Sequence, residues 1–391
     1  MAVNSLSIEQ IYTLLNAVHQ QATGMTGLTA TDLSSFISVA QETLQAGYDN
    51  TIGAISQVIG KTIVAVRPYD EKFKGLEYSA ERWGGIIRKI NFADTGAMAD
   101  PTYALGSISP PTVDQYIIKN PVVLETRYVG SDVYKGQYTI FTRQLDEAFE
   151  NPEQFGAFMS GLMTHFANER SQWLEDLKRT ILVNGIAAKI DLAQDVVHLL
   201  TEYNAATGLS LTATTVMQPA NFKGFMEWMY ARVSNISRMM TERSQKFQQV
   251  ITGYPIMRHT PLQDQRIYLD NQILDGMTAR VLADTYHDNF LTYSDVEGVN
   301  YWQAIDAPRS INAKPVYIDA TGTVTVASGA VSNTAIVGVM FDRDAMGYNI
   351  YQDELVTSPY NADGQYYNLF NHVRVQLQND ITEKIVVLAL D

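Results

Sequence analysis

The strongest structural signal in the sequence is a long amphipathic helix that begins at Asn151-Pro152. Asparagine is a favoured helix N-cap, and proline is favoured at the first helical position. Apolar side chains then recur at three- and four-residue steps with no further proline, which indicates one buried helix face: Phe155, Phe158, Met159, Leu162, Met163, Phe166, Trp173, Leu174, Leu177, Ile181 and Leu182. About thirty helical residues span about 45 Å. We therefore predict a spine helix over residues 152–184 that crosses a whole domain.

The first 60 residues predict short amphipathic helices and contain no lysine or arginine. Ser7 and Gln10 have the spacing of a capping box, and Gly24 is a plausible helix stop. A second helix is predicted from about Leu33, with Gly47 after its end. Each of these short helices must pack its apolar face on another element.

Residues 61–121 are punctuated by glycine and proline, with short strand-like pieces at 62–66 and 86–90. This pattern predicts a long excursion, such as a two-stranded arm. An isolated hairpin is marginally stable in water, so the arm must lie on something else. Residues 61–90 carry a net charge of +3 (seven basic minus four acidic residues), whereas the whole chain carries −14. Either this segment is an ordinary solvated loop, or its charge complements the acidic body of a neighbouring copy.

The remainder of the chain predicts a mixed α+β fold. Its expected elements are strands at 122–129 and 134–141, a helix at 221–249, a strand at 266–269, a helix at 273–283, strands at 316–318 and 324–326, and a tail with strands at 336–341, 348–351, 373–377 and 385–390. A chain of 391 residues is long for one hydrophobic core, so more than one subdomain is expected.

The amino-acid composition and net charge exclude several kinds of protein and of functional site. Hydrophobic residues make up 46% and charged residues 18% of the chain, which is a globular balance. The absence of cysteine excludes disulfides and thiolate metal sites. The strong negative charge argues against tight binding of a nucleic-acid backbone by the chain as a whole. No signal peptide and no apolar run of membrane-spanning length is recognised.

Motifs that resemble functional sites have simpler interpretations. Gly60-Lys61-Thr62 ends like a phosphate-binding loop, but Ile55 stands where that motif requires glycine. His165 and Glu169 share a helix face and are interpreted as a helix ion pair or a partly buried histidine, because two ligands do not make a metal site.

The sequences Asp342-x-Asp344 and Asn361-x-Asp363-Gly364 are interpreted as turns. We assign no catalytic, cofactor-binding or metal-ligating residue.

The order of these elements resembles the Hong Kong 97-type fold of tailed-phage major capsid proteins. The tail segments at 339–347 and 354–358 are also similar to C-terminal segments of that family. The resemblance covers nearly the whole chain. It implies a helical N-terminal arm (1–60), an extended loop (61–121), a peripheral domain (122–194) that contains the spine helix (152–184), an axial domain (195–335) and a strand-rich C-terminal return (336–391).

The resemblance further implies a structural protein, not an enzyme. Copies are expected to form hexamers and pentamers of an icosahedral virion shell that encloses double-stranded DNA without binding it specifically. A scaffolding protein, a portal and decoration proteins are the other expected partners, and assembly is expected in the host cytoplasm. Some family members form Lys–Asn cross-links; Lys72, Lys74 and Lys89 lie in the extended loop, but no matching asparagine is assigned.

Two alternatives remain open at this stage. The same fold builds encapsulin-like compartments, which enclose cargo protein instead of DNA. From another class, an α/β enzyme or ligand-binding protein could place its pocket around Asp284, His287 and Asp288. Such a protein would be a small oligomer, whereas a shell protein would form megadalton particles.

Overall fold

The structure, a computed structural model, describes residues 6–61, 69, 72–77, 86–94, 118, 120, 122–129, 132–277 and 296–391. In these ranges the helices are α1 (Ile8–Thr23), α2 (Leu33–Gln45), α3 (Tyr48–Lys61), α4 (Thr142–Ala148), α5 (Pro152–Asp191), α6 (Leu199–Thr207), α7 (Ala213–Val216), α8 (Pro219–Thr241) and α9 (Asn271–Met277).

The strands are β1 (Ile86–Phe92), β2 (Val123–Val129), β3 (Asp132–Phe141), β4 (Val196–His198), β5 (Gln265–Asp270), β6 (Val296–Val299), β7 (Ile311–Ala313), β8 (Val316–Ile318), β9 (Val324–Val326), β10 (Val331–Asn333), β11 (Ile336–Asp342), β12 (Met346–Thr357), β13 (Tyr366–Asn379) and β14 (Ile385–Ala389).

Two sheets form the body of the molecule. The larger sheet has the strand order β4-β14-β11-β5-β6, with parallel pairs only at its two edges. Every residue of β11 and β14 is buried, which explains why both strands are apolar apart from Asp342 at the end of β11. The second sheet is antiparallel, with the order β12-β13-β3. Its long strand β13 contributes side chains to two hydrophobic cores.

The spine helix is longer than predicted. It begins at Pro152, where the side chain of Asn151 accepts the Gln154 amide at 2.9 Å, and it ends at Asp191. Its 40 residues span about 60 Å. Gly185 does not end the helix; a Cβ there would lie 2.5 Å from Met346 Sδ, so glycine instead permits close packing on β12.

The spine helix joins separate hydrophobic cores. Its first half packs with α1, α2 and α3 and with the far ends of β3 and β13. Its second half packs on the two sheets. A third core lies under α8 on the other face of the larger sheet. The N-terminal helices therefore pack on their own subunit.

The N-terminal capping signals are confirmed. Ser7 and Gln10 form the reciprocal capping box, and Gly24 ends α1 in the left-handed region at φ 71°. The helix α2 ends at Gln45, shortly before Gly47 at φ 99°. The boundary of α3 was not individually predicted.

Other boundaries differ from the predictions. The helix predicted to reach Gln249 ends at Thr241, because the chain then turns so that Ser244 pairs with Arg258 and Phe247 enters the core. The helix predicted over 273–283 is α9, and its predicted end lies outside the described residues. The strand predicted at 62–66 also lies outside them. Both β8 and β9 have the predicted bounds.

Candidate functional site: the anchored hairpin

Two main anchors fasten the extended segment to its own subunit, and the first is on the spine helix. Glu175 and Lys178 lie one turn apart on α5 and contact Tyr69 and Lys72. The Tyr69 hydroxyl and the Lys72 amide donate to Glu175 Oε2 at 2.6 and 3.2 Å. Lys178 Nζ donates to the Lys72 carbonyl at 3.2 Å. This face of α5 therefore binds two hydrogen-bond donors and one hydrogen-bond acceptor of the extended segment.

Phe73 inserts beside this network as an apolar wedge. It is buried, and its ring packs edge-on against Tyr268 at a centroid distance of 5.3 Å. The Arg179 guanidinium lies over the ring at 5.1 Å, a cation–π geometry. Phe73 has φ 61°, a region that non-glycine residues rarely adopt, and its amide donates to Glu297 Oε1 at 2.6 Å. Tertiary contacts therefore fix the backbone where the segment leaves the core.

The hydrogen bonds of this first anchor fix the protonation states of Glu175 and Tyr69. Burial acts to raise the pKa of Glu175, but hydrogen bonds from Tyr69, Arg179 and the Lys72 amide outweigh it and lower that pKa. The same contact with Glu175 raises the pKa of Tyr69 to about 12. Glu175 is thus held as a carboxylate and Tyr69 as a neutral donor.

The second anchor holds the hairpin of β1 and β2 at its middle. Lys89 Nζ on β1 lies 3.0 Å from Asp380 Oδ2 and also contacts Glu383. Arg258 Nη1 bonds Glu383 Oε1 at 2.6 Å and donates to Asn91 Oδ1 on β1 at 3.0 Å. Two cations and two carboxylates therefore meet in the turn between β13 and β14.

Burial makes this second cluster sensitive to loss of any member. Desolvation disfavours the charge of Lys89, but Asp380 and Glu383 outweigh it and raise the lysine pKa. Desolvation also opposes ionisation of Asp380, yet Lys89 and Thr382 lower its pKa. For Glu383 burial prevails and raises the pKa, despite Lys89 and Arg258. Breaking one partner of a buried pair is strongly destabilising, since it leaves an uncompensated buried charge.

The far end of the hairpin meets the body through Asp94. Its carboxylate accepts the Met257 amide at 2.9 Å and pairs with Arg243. A cavity of about 600 Å³ lies beside this contact, between the hairpin and the body. On β2, the Tyr128 carbonyl accepts a hydrogen bond from Gln376 of β13. Contacts to the body therefore run along the whole inner face of the hairpin.

The outer face of the hairpin is exposed. In the register of β1 and β2, side chains that lie opposite each other point to the same face of the hairpin. The exposed face carries Arg88, Ile90, Phe92, Val123, Glu125, Arg127 and Val129. Arg88 Nε and Arg127 Nε both bond Glu125 Oε1, at 2.7 and 2.6 Å. Hydrogen bonds from Arg127 and Arg88 lower the pKa of Glu125 to about 2.

Residues singled out in the sequence lie apart from these anchors, except for two lysines of the extended loop. His165 Nε2 lies 3.3 Å from Glu169 Oε1 in the predicted ion pair. Asp342 accepts the Asp344 amide at 2.8 Å, a turn contact as predicted.

The second predicted turn is also confirmed, because Asn361 accepts the amides of Asp363 and Gly364 at 3.1 and 3.0 Å. The two exceptions are Lys72, whose backbone amide and carbonyl bind Glu175 and Lys178, and Lys89, whose partners are carboxylates.

Sequence reasoning missed the residues that hold the extended segment. A signal was present for the first anchor: Glu175 and Lys178 fall in register with Leu182, at three- and four-residue steps on a buried stripe. Charged residues at core-facing positions require partners. The partners of Lys89 had no such local signal, because they follow nearly three hundred residues later.

Some sequence-based hypotheses fall outside the described residues. These are the alternative pocket around Asp284, His287 and Asp288, the strand predicted at 62–66, and most of the 61–121 loop. In the described ranges, no group of three or more His, Asp or Glu side chains could hold a metal ion. None of the helices in those ranges is long and apolar enough to cross a membrane.

Comparison with known proteins agrees with the fold. The chain resembles a chain in the capsid structure of Staphylococcus phage Andhra, with a TM-score of 0.52 and 12% identity over 83% of this chain and 85% of that one. It also resembles a chain in the structure of the head fiber and inner core protein gp22 of native bacteriophage P68, with a TM-score of 0.52 and 10% identity over 84% and 87% of the two chains. No curated protein matches the chain.

At these identities the likeness establishes the shared fold, which is the Hong Kong 97-like fold of phage capsid proteins predicted from the element order. The sequence also matches the family model of Phi29-like phage major capsid proteins over residues 13–389. The chain is accordingly a structural subunit of a phage virion, and it assembles with copies of itself into the capsid shell. A cellular cargo compartment is not favoured. By sequence match over almost its whole length, the chain belongs to the Phi29-like phage major capsid proteins.

Proposed function

We propose that copies of this chain form rings of five and six that close into an icosahedral shell around the double-stranded DNA genome of a tailed phage. Head-to-tail contacts between identical subunits generate closed rings when the rotation between copies closes. Many modest contacts acting together make release from such a lattice rare. The subunit has no catalytic role in this proposal.

In this shell, residues 1–60 form the N-terminal arm and 61–121 the extended loop. Residues 122–194 form the peripheral domain, 195–335 the axial domain, and 336–391 the strand-rich return. The shared spine helix α5 supports the assignment of a peripheral domain, because it carries the N-terminal helices on one half and the two sheets on the other.

The observation that carries the proposal is the double anchoring of the extended segment. Glu175 and Lys178 of the spine helix hold it at Tyr69 and Lys72, and Asp380 and Glu383 hold it at Lys89. A segment held at two points is already ordered before it contacts a neighbour. Docking on the neighbour therefore costs less conformational entropy. Its outer face stays available for another copy.

The proposed shell needs other proteins. A lattice of identical subunits has equivalent vertices, so a single opening for DNA requires a different protein, the portal. A scaffolding protein and decoration proteins complete the proposed set, and assembly takes place in the host cytoplasm. The net charge of −14 supports a wall that encloses DNA without gripping its phosphates.

A shortened hairpin tests this role. Deletion of residues 70–90 would remove Phe73 and Leu76 from the core and confound folding with assembly. Replacing residues 95–117 by a short Gly-Ser turn instead retains β1, β2 and Asp94. The unaltered protein is expected to elute as megadalton particles with icosahedral symmetry in electron micrographs. The shortened protein is expected to keep its circular dichroism spectrum but remain small.

Two outcomes contradict different parts of the proposal. Normal shells from the shortened protein would show that the loop is not needed for assembly. A stable monomer or dimer of the unaltered protein at high concentration would contradict shell formation itself.

A further inference from the structure

We infer that each subunit binds one buried water molecule beside the second anchor, held by Gln248, Gln249 and Arg258. The ligand is a small neutral molecule that donates two hydrogen bonds and accepts one. This inference goes beyond the proposed function, because the site lies within one subunit and does not depend on contacts between copies.

A small cavity lies where the hairpin meets the body. Its volume is about 10 Å³, which is close to the smallest volume that holds one water molecule. Its lining includes Leu124 of β2, Gln248, Gln249, Arg258 and Thr382 of the β13–β14 turn. The cavity therefore has the size of a single water molecule and contains polar side chains that could bind one.

Two buried glutamine amides contribute unpaired oxygens. Gln248 and Gln249 are only 6% and 4% exposed. Gln248 Nε2 donates to the Ile256 carbonyl at 2.6 Å, and Gln249 Nε2 donates to the Val250 carbonyl at 3.4 Å. A flipped amide would place its oxygen against a carbonyl oxygen, so these contacts fix both orientations. Neither Oε1 atom has a hydrogen-bond donor within the described part of the chain.

Arg258 contributes the third polar group. Its Nη1 bonds Glu383 Oε1 and Asn91 Oδ1. Its Nη2 donates to Thr382 Oγ1 at 3.4 Å. The Nε–H group is also buried, but among the residues that the structure describes it has no acceptor. A buried N–H group without an acceptor loses its hydration without compensation. The cavity thus gathers two unpaired acceptors and one unpaired donor.

Water is the ligand that matches these three groups. It can donate one hydrogen to each amide oxygen while its own oxygen accepts the Arg258 Nε–H group. Three hydrogen bonds are typical of a buried water molecule. A cation would suit the two amide oxygens, but the guanidinium would repel it. An anion would suit the guanidinium, but it would have no donor from either amide oxygen.

The site links the water to the position of the hairpin. Leu124 is the part of the cavity lining that comes from β2, so the cavity is complete only when the hairpin lies on its own body. The same guanidinium binds Asn91 of β1 and Glu383 of the β13–β14 turn. The water therefore completes the hydrogen bonding of a side chain that holds the hairpin.

A density map that resolves ordered water tests this inference, from cryo-electron microscopy of shells or from crystals of an unassembled subunit. We expect one peak at about 2.7–3.2 Å from Gln248 Oε1, Gln249 Oε1 and Arg258 Nε. The peak should stay the same when rubidium replaces sodium in the buffer, because rubidium would strengthen the density of a cation site. An empty cavity, or a peak that grows with rubidium, would overturn the inference.

Gln249→Met tests the role of the amide oxygen. Methionine has a similar length but offers no comparable acceptor, and the amide nitrogen that is lost makes only the 3.4 Å contact with Val250. We expect the water peak to disappear in this variant. Gln303→Met is the control, since Gln303 is exposed and lies outside this cavity, and it should keep the peak.

A peak of full strength in Gln249→Met would contradict the assigned ligands. The map of the unaltered protein decides the inference alone if this variant does not fold. A subunit that shows the peak but never forms shells would contradict only the proposed function.

Discussion

Lys89 on the first hairpin strand lies 3.0 Å from Asp380, although 291 positions separate the two residues in the chain. Asp380 is fully buried, and Lys89 is largely so. The ion pair therefore fastens the extended segment of the capsid subunit to the turn between β13 and β14. A contact of this kind sets the direction of the hairpin before any neighbour arrives.

Lys89→Ala should release this fastening. Removing one partner of a buried ion pair typically costs about 3–5 kcal/mol, because the remaining charge stays buried without compensation. Here Asp380 would lose its ion pair with Lys89, whereas Glu383 would still contact Arg258. We expect a large fall in the midpoint of denaturant unfolding and faster hydrogen exchange in β1 and β2.

Arg143→Ala is the control for this variant. Arg143 pairs with Glu147 on the surface of α4, with 88% of its side chain exposed. Exposed pairs of this kind contribute at most about 1 kcal/mol. A Lys89→Ala protein as stable as the Arg143→Ala protein would show that the buried cluster does not hold the hairpin.

Glu175→Gln should change how stability depends on pH. The folded-state pKa of Glu175 lies below its ordinary value of 4.5 because of its hydrogen bonds. The unfolded chain therefore takes up the proton first as pH falls. The stabilising contribution of the carboxylate is complete above about pH 4.5 and is lost as pH falls through the folded-state pKa.

Denaturant unfolding at several pH values measures this effect. We expect the free energy of unfolding of the unaltered protein to exceed that of Glu175→Gln at pH 7. This difference should shrink toward pH 3. A difference that stays constant over this range would contradict the assigned role of the Glu175 carboxylate.

Gly338→Ala should destabilise the larger sheet. An added Cβ would lie 2.5 Å from Leu269 Cδ2 and 2.9 Å from the Tyr268 carbonyl oxygen. The backbone oxygen cannot move without disturbing the β11–β5 ladder, and overpacking of a core typically costs about 1–3 kcal/mol.

Gly329→Ala is the matched control, since a Cβ there meets nothing within 4 Å. The melting temperature of the Gly338→Ala protein should be clearly lower than that of the Gly329→Ala protein. Equal melting temperatures would mean that the sheet relaxes freely around position 338.

Local signals made part of this fold predictable. Asn151-Pro152 marked the start of the spine helix, because the cap and the first helical residue act within one turn. The bounds of β8 and β9 followed from the turn between them, where Asp319 accepts the amides of Thr321 and Thr323. Both signals depend on residues that are neighbours in sequence.

The anchors could not be predicted in the same way. Lys89 has the sequence environment of a solvated loop lysine, and only the fold brings Asp380 and Glu383 to it. The end of α8 at Thr241 likewise depends on the distant pairing of Ser244 with Arg258. The order of elements indicated the family, whereas the contacts that position the hairpin required the tertiary structure.

Cryo-electron microscopy of the purified, self-assembled protein tests the central claim most directly. The account predicts closed particles with five- and six-fold rings, in which the β1–β2 hairpin of each subunit remains joined to its own Asp380 and crosses to the next copy. Small oligomers with no shell, or shells in which the hairpin has left Asp380 and contacts no neighbour, would contradict it.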